Sequence, residues 1–183
     1  MIPSQVCILL TIHGTKERVV EYNKSLELWH KSSHNFKRVV SVDSANNQYI
    51  RTTYRASIFN KSPSLGEKYS IIIALASLYD CPFIFKWTGR YYSHDFLNTL
   101  SHIPSNTSFV MQSLSSTRGQ NSEVFGTTID GLLQLLSRVK KTPYTAMETA
   151  LIKSRTKTTW YMPLMKLAFP AEQKSRHRML GHV

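Results

Sequence analysis

Lys86, Thr88, Gly89 and Arg90 carry the sharpest chemical signal in this chain. They close the run Pro82-Phe83-Ile84-Phe85, enclose Trp87, and are followed by Tyr91 and Tyr92. An apolar run of that length, bounded by Pro and Gly, reads as a buried strand. Two cations, a hydroxyl and a glycine at such a strand's end suit an anion, most often a phosphate, at the sheet edge. Arg90 offers a bidentate fork for phosphate oxygens, and Lys86 adds a point charge. Thr88 and Gly89 would let the backbone come close to the ligand. The plainer alternative is a strand end with solvated basic residues.

Other strand ends supply partners. Val6 to Ile12 is a solid apolar run ending in His13-Gly14-Thr15, where contact with a nucleotide is expected. Phe36 to Asp43 is a second strand ending in Asp43-Ser44. An acid there can bind a ribose hydroxyl, or simply cap the turn. Three carboxylates compete as a base that deprotonates an acceptor hydroxyl: Glu148, Glu123 and Asp95. Glu148 also fits the capping box Thr145-x-x-Glu148, as Glu67 fits Ser64-x-x-Glu67. Asp95 follows Arg90 by five residues and would reach the site from the first turn of the next helix. Trp87 reads as core. Tyr91 and Tyr92 could stack on a base or sugar.

The elements that must position these residues follow from periodicity. Val19, Tyr22, Leu26 and Trp29 recur at helical spacing, giving a helix over about Lys16 to Ser33. A second helix is expected over about Leu65 to Tyr79. It is apolar nearly all round and so should be buried on most sides. Tyr49 to Ile58 carries only a weak strand signal. The first half therefore alternates strand, helix, strand, loop, helix, strand, which argues for an α/β domain with a largely parallel sheet. In the second half, a short helix is expected around Phe96 to Ile103 and strands near Ser108 to Ser113 and Ser122 to Thr127. Ile129 to Val139 reads as an amphipathic helix, followed by a short one to Lys153. The last strand falls at Thr159 to Met162 or Met165 to Phe169. Residues 1–170 read as a single α/β domain and 171–183 as a basic, flexible tail.

The bulk composition narrows the partners. The 183 residues carry 23 Lys+Arg against 11 Asp+Glu, a net charge of +12. That balance favours a polyanion: nucleic acid, an anionic membrane surface or a phosphorylated substrate. The two cysteines, Cys7 and Cys81, both lie in apolar runs with no zinc spacing, and are expected as buried, reduced thiols in a cytoplasmic protein. The first residues show no basic segment ahead of a long apolar core, and no apolar run approaches the ~20 residues of a membrane span.

Taken together, Gly14-Thr15, Val42-Asp43-Ser44, the helix from Glu67 and Lys86-Trp87-Thr88-Gly89-Arg90-Tyr91 resemble a group of small bacterial and viral glycosyltransferase-like proteins. Their hallmark is a strand ending in K-x-T-G-R-Y. Asn121 to Gly126 and Met147-Glu148 fall where that group's later motifs are expected. The resemblance spans roughly Val6 to Met165. It implies a Rossmann-like GT-A-type sandwich, with a mostly parallel central sheet flanked by helices. It implies sugar transfer from a nucleotide-diphosphate donor to a hydroxyl acceptor on a glycan or lipid-linked molecule. The donor-binding set would be His13, Gly14, Thr15, Asp43, Ser44, Lys86, Thr88, Gly89, Arg90 and Tyr91.

One departure matters. Most such enzymes hold Mn²⁺ or Mg²⁺ on the donor diphosphate with Asp-x-Asp, and this chain has none. A divalent cation held differently stays open. So does a metal-independent reaction in which Lys86 and Arg90 stabilise the leaving diphosphate. Two other classes compete. One is a non-catalytic basic module binding nucleic acid, although the basic residues are spread along the chain and no helix-turn-helix or zinc motif is present. The other is a degenerate transferase fold that only binds nucleotide. The cluster Lys174-Ser175-Arg176-His177-Arg178 could dock on an anionic membrane.

Overall fold

β1 (Val6–Ile12) is buried along its whole length, and it is the strand around which the chain is organised. A computed structural model describes residues 1–58, 63–112, 123–139, 146–162, 166–167 and 178–179. Val6, Ile8, Leu10 and Ile12 pack into one apolar layer, while Cys7 and Leu9 pack into the other. Residues with no polar face fit a strand covered on both sides, as parallel strands usually are.

β1 pairs in parallel with β2 (Arg38–Asp43) on one side and with β4 (Phe83–Thr88) on the other. β3 (Tyr54–Arg55) extends β2, also in parallel. β6 (Val124–Thr127) then runs antiparallel between β4 and β5 (Phe109–Gln112), and β7 (Thr159–Met162) closes the far edge parallel to β5. The seven-stranded order is β3-β2-β1-β4-β6-β5-β7. The expected largely parallel α/β sheet is therefore present.

Helices cover both faces. α1 (Val19–Lys31) and α3 (Phe96–Ser101) pack on one layer through Tyr22, Leu26, Trp29, Phe96 and Leu100. α2 (Pro63–Ala74), α4 (Ile129–Arg138) and α5 (Ala146–Lys153) cover the other through Ile71, Leu132, Leu136, Met147 and Leu151. Thr128 caps α4 by accepting from the Gly131 amide at 3.2 Å. Among the described residues no helix is long and apolar enough to cross a membrane.

Several expectations need correction. Cys7 and Cys81 are not separate thiols: a disulfide joins them, with their Cα atoms 6.0 Å apart. Pairing of β1 with β4 sets Cys7 opposite Ile84, so the turn entering β4 delivers Cys81 to it. That proximity spans 74 residues and leaves no local trace. It also removes the thiol argument for a cytoplasmic setting. α2 begins at Pro63, so Ser64 lies inside the helix and is not its cap. Proline suits that first position because its missing N–H would be unsatisfied anyway. Nor is α2 buried nearly all round, since Tyr69 and Ile72 are exposed on its outer side. The helix has the sheet on one side only. A separate small ladder pairs β8 (Lys166–Leu167) antiparallel with β9 (Arg178–Met179). Thr145, Asn121, Ser122 and residues 174–177 lie outside the described residues.

Candidate functional site

Three parallel strands end side by side. Ile12 of β1 stands opposite Asp43 of β2, and Thr11 stands opposite Thr88 of β4. The candidate residues at these strand ends therefore share one edge of the sheet, where ligands of open α/β sheets bind. The antiparallel strand β6 adds one more. It starts where β4 ends, and the Thr88 amide donates to the Glu123 carbonyl at 2.8 Å. Glu123 thus enters the edge beside Thr88 through the sheet register.

The turn after β4 is fixed from below. Trp29 Nε1 and Ser25 Oγ both donate to the Tyr91 carbonyl, at 2.8 and 3.0 Å. Trp29 also meets Trp87 edge-on at 5.2 Å between ring centres. Gly89 fits this turn because a Cβ there would stand 2.4 Å from Ile12 Cγ1. Close passage past β1 is by itself a sufficient reason for glycine here. Gly14 is similar, since an added Cβ would meet Ile50 Cδ1 at 2.3 Å.

Around this turn lies a charged cluster. Arg90 Nη2 is 3.5 Å from Glu123 Oε1, and the Tyr91 hydroxyl donates to the same oxygen at 3.0 Å. The Arg90 guanidinium lies over the Tyr91 ring at 4.7 Å. Tyr91 is fully buried, so it props up Arg90 and Glu123 and leaves no face for a base or sugar. Arg90 keeps capacity in reserve: its Nε–H has no acceptor among the described residues. Tyr22 of α1 feels the same group. Burial pushes its hydroxyl up, against the pull of the His13 amide and the positive charges of Arg90 and Arg18. Arg18 was not a candidate in the sequence, and only the turn between β1 and α1 carries it here.

Lys86 differs most from expectation. Its side chain is 1% exposed and forms an ion pair with Glu67 of α2. Its Nζ also lies 3.5 Å from Thr88 Oγ1 and 5.8 Å from the centre of the Phe125 ring. Burial pushes the ammonium down, to about 7, while Glu123 and Glu148 pull against that change. Lys86 is therefore neither a solvated strand end nor an exposed donor cation. Its position follows from the pleat: Ile84 belongs to the layer of α2, α4 and α5, and Lys86 continues that face. Glu67 reads locally as part of a helix cap, and no local pattern links it to a residue on β4.

The β1 and β2 ends are organised by Asp43. This fully buried carboxylate accepts from the Gly14 amide at 2.9 Å, the Ala45 amide at 3.1 Å and the Asn47 amide at 2.6 Å. It builds the loops, as a turn-capping Asp does, and presents no exposed oxygen to a ribose. Ser44 is likewise buried, donating to the Ile12 carbonyl at 3.0 Å. His13 is exposed, with Nδ1 3.0 Å from Ser44 Oγ. Thr15 is half-buried and its carbonyl accepts from Arg18 in the next turn. Asp95 is exposed before α3, on the opposite layer from Lys86, and its side chain caps nothing. The structure thus gathers Lys86, Thr88, Arg90, Tyr91, Glu123 and Glu148, adds Glu67, and leaves Asp95 apart. Among the described residues no three His, Cys, Asp or Glu side chains form a metal-holding group. Glu67 is paired with Lys86, and Glu123 with Arg90.

No protein-family model matches this sequence, and no curated protein matches it. Solved structures do share its fold. One is a glycosyltransferase involved in glycosylation of the major capsid of PBCV-1, with a TM-score of 0.58 at 14% identity over 86% of this chain and 81% of that one. Another is a cytidylyltransferase from Leptospira borgpetersenii, with a TM-score of 0.57 at 13% identity over 87% of this chain and 76% of that one. The chain is thus an α/β protein with the Rossmann-like fold seen in these two transferases.

Proposed function

We propose that this protein is a nucleotide-dependent transferase that moves a sugar from a nucleoside-diphosphate donor to a hydroxyl acceptor. The observation that carries this reading is the Arg90–Glu123 pair at the shared end of β1, β2 and β4. It sets a cation with unused donor capacity beside a carboxylate, at the edge where such sheets bind nucleotides. The two transferase neighbours and the K-x-T-G-R-Y strand end support it.

In this reading the donor lies across the β1 and β4 ends. Arg90 binds diphosphate oxygens through the fork that Glu123 leaves open, and Arg18 adds charge from the first turn beyond β1. His13, exposed above Ser44, contacts the nucleotide. Glu123 takes the proton of the acceptor hydroxyl as its oxygen attacks the anomeric carbon. The bond from that carbon to the diphosphate oxygen breaks, and the nucleoside diphosphate leaves with its charge held by Arg90. No step is assigned to a metal. The acceptor is a glycan or lipid-linked hydroxyl, and contact with an anionic membrane would come through the basic tail.

A panel of UDP-, GDP-, CMP- and dTDP-sugars, with and without chelator, tests this by thermal shift and calorimetry. One nucleotide family should bind with chelator present. Arg90→Gln should weaken it roughly 10–100-fold, the loss of a charge-assisted hydrogen bond. Glu123→Gln should keep donor binding and lose transfer. The cytidylyltransferase neighbour favours a second reading, transfer of a nucleotidyl group, which would show as binding and turnover of a nucleoside triphosphate instead. Absence of binding by every nucleotide, with salt-sensitive capture of nucleic acid, would favour the polyanion module.

A further inference from the structure

Tyr91 is fully buried, yet it touches both groups of the proposed chemistry. Its hydroxyl donates to Glu123 Oε1 at 3.0 Å, and its ring lies under the Arg90 guanidinium at 4.7 Å. Its own backbone is tied on both sides. The amide donates to the Thr88 carbonyl at 3.0 Å, which closes the turn leaving β4. The carbonyl accepts from Trp29 Nε1 at 2.8 Å and from Ser25 Oγ at 3.0 Å, both on α1. A ring packed into the core on a backbone held at these points has a fixed place. The direct contact between Arg90 and Glu123 is longer, at 3.5 Å, outside the usual range of an N–H···O bond. Of these two contacts on Glu123 Oε1, Tyr91 makes the shorter one.

We propose that Tyr91 is a positioning residue with two separable duties: its hydroxyl orients Glu123 for the transfer step, and its ring seats the Arg90 guanidinium for the donor diphosphate. This rests on the reading of Glu123 as the base and of Arg90 as the donor's cation. The two duties answer one physical problem. A donor diphosphate draws Arg90 towards its oxygens, and the hold of Arg90 on Glu123 slackens. A base left to rotate loses its aim at the acceptor hydroxyl, and a displacement of about 1 Å can cost two orders of magnitude in rate. The Tyr91 hydroxyl stays on Glu123 while Arg90 turns to the donor, because a buried phenol is closed off from the phosphates. The ring serves Arg90 in both states. A guanidinium lying over an aromatic face keeps its in-plane N–H groups for phosphate oxygens.

The test compares wild type with Tyr91→Phe and Tyr91→Leu, each also combined with Glu123→Gln and with Arg90→Gln. The donor is whichever of the UDP-, GDP-, CMP- and dTDP-sugars stabilises the wild type most. Its Kd is read by calorimetry, kcat by sugar transfer at saturating donor, and folding by the melting midpoint. Tyr91→Phe keeps the ring under Arg90, so Kd should stay within about threefold of wild type. Its kcat should fall roughly 10–100-fold, because Glu123 loses its orienting hydroxyl. Tyr91→Leu removes the ring as well, so kcat should fall as far and Kd should also rise roughly 3–30-fold. Should Tyr91→Leu fail to fold, Tyr91→Met takes its place as the ring-free variant. The combinations identify the partners. Tyr91→Phe should leave the residual kcat of Glu123→Gln within about twofold, and Tyr91→Leu should do the same for the Kd of Arg90→Gln, since each partner is already gone. A merely structural tyrosine would lower kcat and affinity alike in every background, and that additivity would overturn the proposal. Tyr91→Phe with weakened donor binding and wild-type kcat would overturn it too, and would return Tyr91 to the donor site. Failure of the underlying reading shows in the single variants: Arg90→Gln with wild-type Kd, or Glu123→Gln with wild-type kcat, removes the group that Tyr91 is said to serve.

Discussion

Removing the Cys7–Cys81 bridge should lower stability without touching the site. The bridge closes a loop of 74 residues. On the chain-entropy account, such a link takes about 4 kcal/mol of freedom from the unfolded chain. Its native-state role is smaller, because β1 and β4 are already paired beside it, Cys7 opposite Ile84. Cys7→Ala/Cys81→Ala also deletes two buried sulfur atoms, a packing loss on the order of 1 kcal/mol. The two losses sum to about 5 kcal/mol, so the melting midpoint should fall by roughly 10–20 °C for a chain of this size. Urea unfolding should also show a larger m-value, since an unlinked chain exposes more surface. The bridge sits at the start of β1 and the entry to β4, whereas the candidate site lies where those strands end. Nucleotide binding should therefore survive in the folded variant. The direct assay is alkylation of denatured, unreduced protein followed by intact mass. These are the chain's only two cysteines, so the outcome is zero labels or two. Two labels on protein equilibrated in a glutathione redox buffer, or a stability change below about 1 kcal/mol, would refute the reasoning.

Other consequences follow from the same geometry. Gly89→Ala forces a Cβ to within 2.4 Å of Ile12 Cγ1 and 3.3 Å of the Thr11 carbonyl. It should cost about 1–3 kcal/mol in urea unfolding and weaken nucleotide binding by shifting Arg90. Lys86 carries a pH signature. Its folded pKa is lowered by burial to about 7, so the unfolded chain binds the extra proton between there and the ordinary lysine value of 10.5. Stability should therefore rise with pH across that window, by up to about 1.4 kcal/mol per unit, and Lys86→Met should flatten the rise. An equal slope in both proteins would assign it to other groups. Trp29→Phe deletes the 2.8 Å donation to the Tyr91 carbonyl while Ser25 still donates there. It should cost about 0.5–1.5 kcal/mol, read by chemical denaturation.

The sequence alone indicated β1, β2, β4, β5, β6 and most of the helices. Val6 to Ile12 has no polar face, so it could only be covered on both sides. Ile129 to Arg138 repeats its leucines at helical spacing, so it could only lie on a surface. The strand-end position of Lys86-x-Thr88-Gly89-Arg90 was legible for the same reason: an apolar run stops there, and the chemistry begins where it stops. What those residues do was decided by the tertiary structure. Local spacing carries no information on whether a cation points to solvent or into a layer of helices. The pleat of β4 and the packing of α2 sent Lys86 to Glu67, while the next turn left Arg90 half-buried beside Glu123. The register of β6 brought in Glu123, and the pairing of β1 with β4 brought Cys7 to Cys81. Asp43 was legible as an acid at a strand end, but only the folded loops show its oxygens taken by three amides. Element type is set by interactions within a few residues. Ionisation and pairing are set by which distant groups share a buried volume, and that is fixed only when the sheet closes its order.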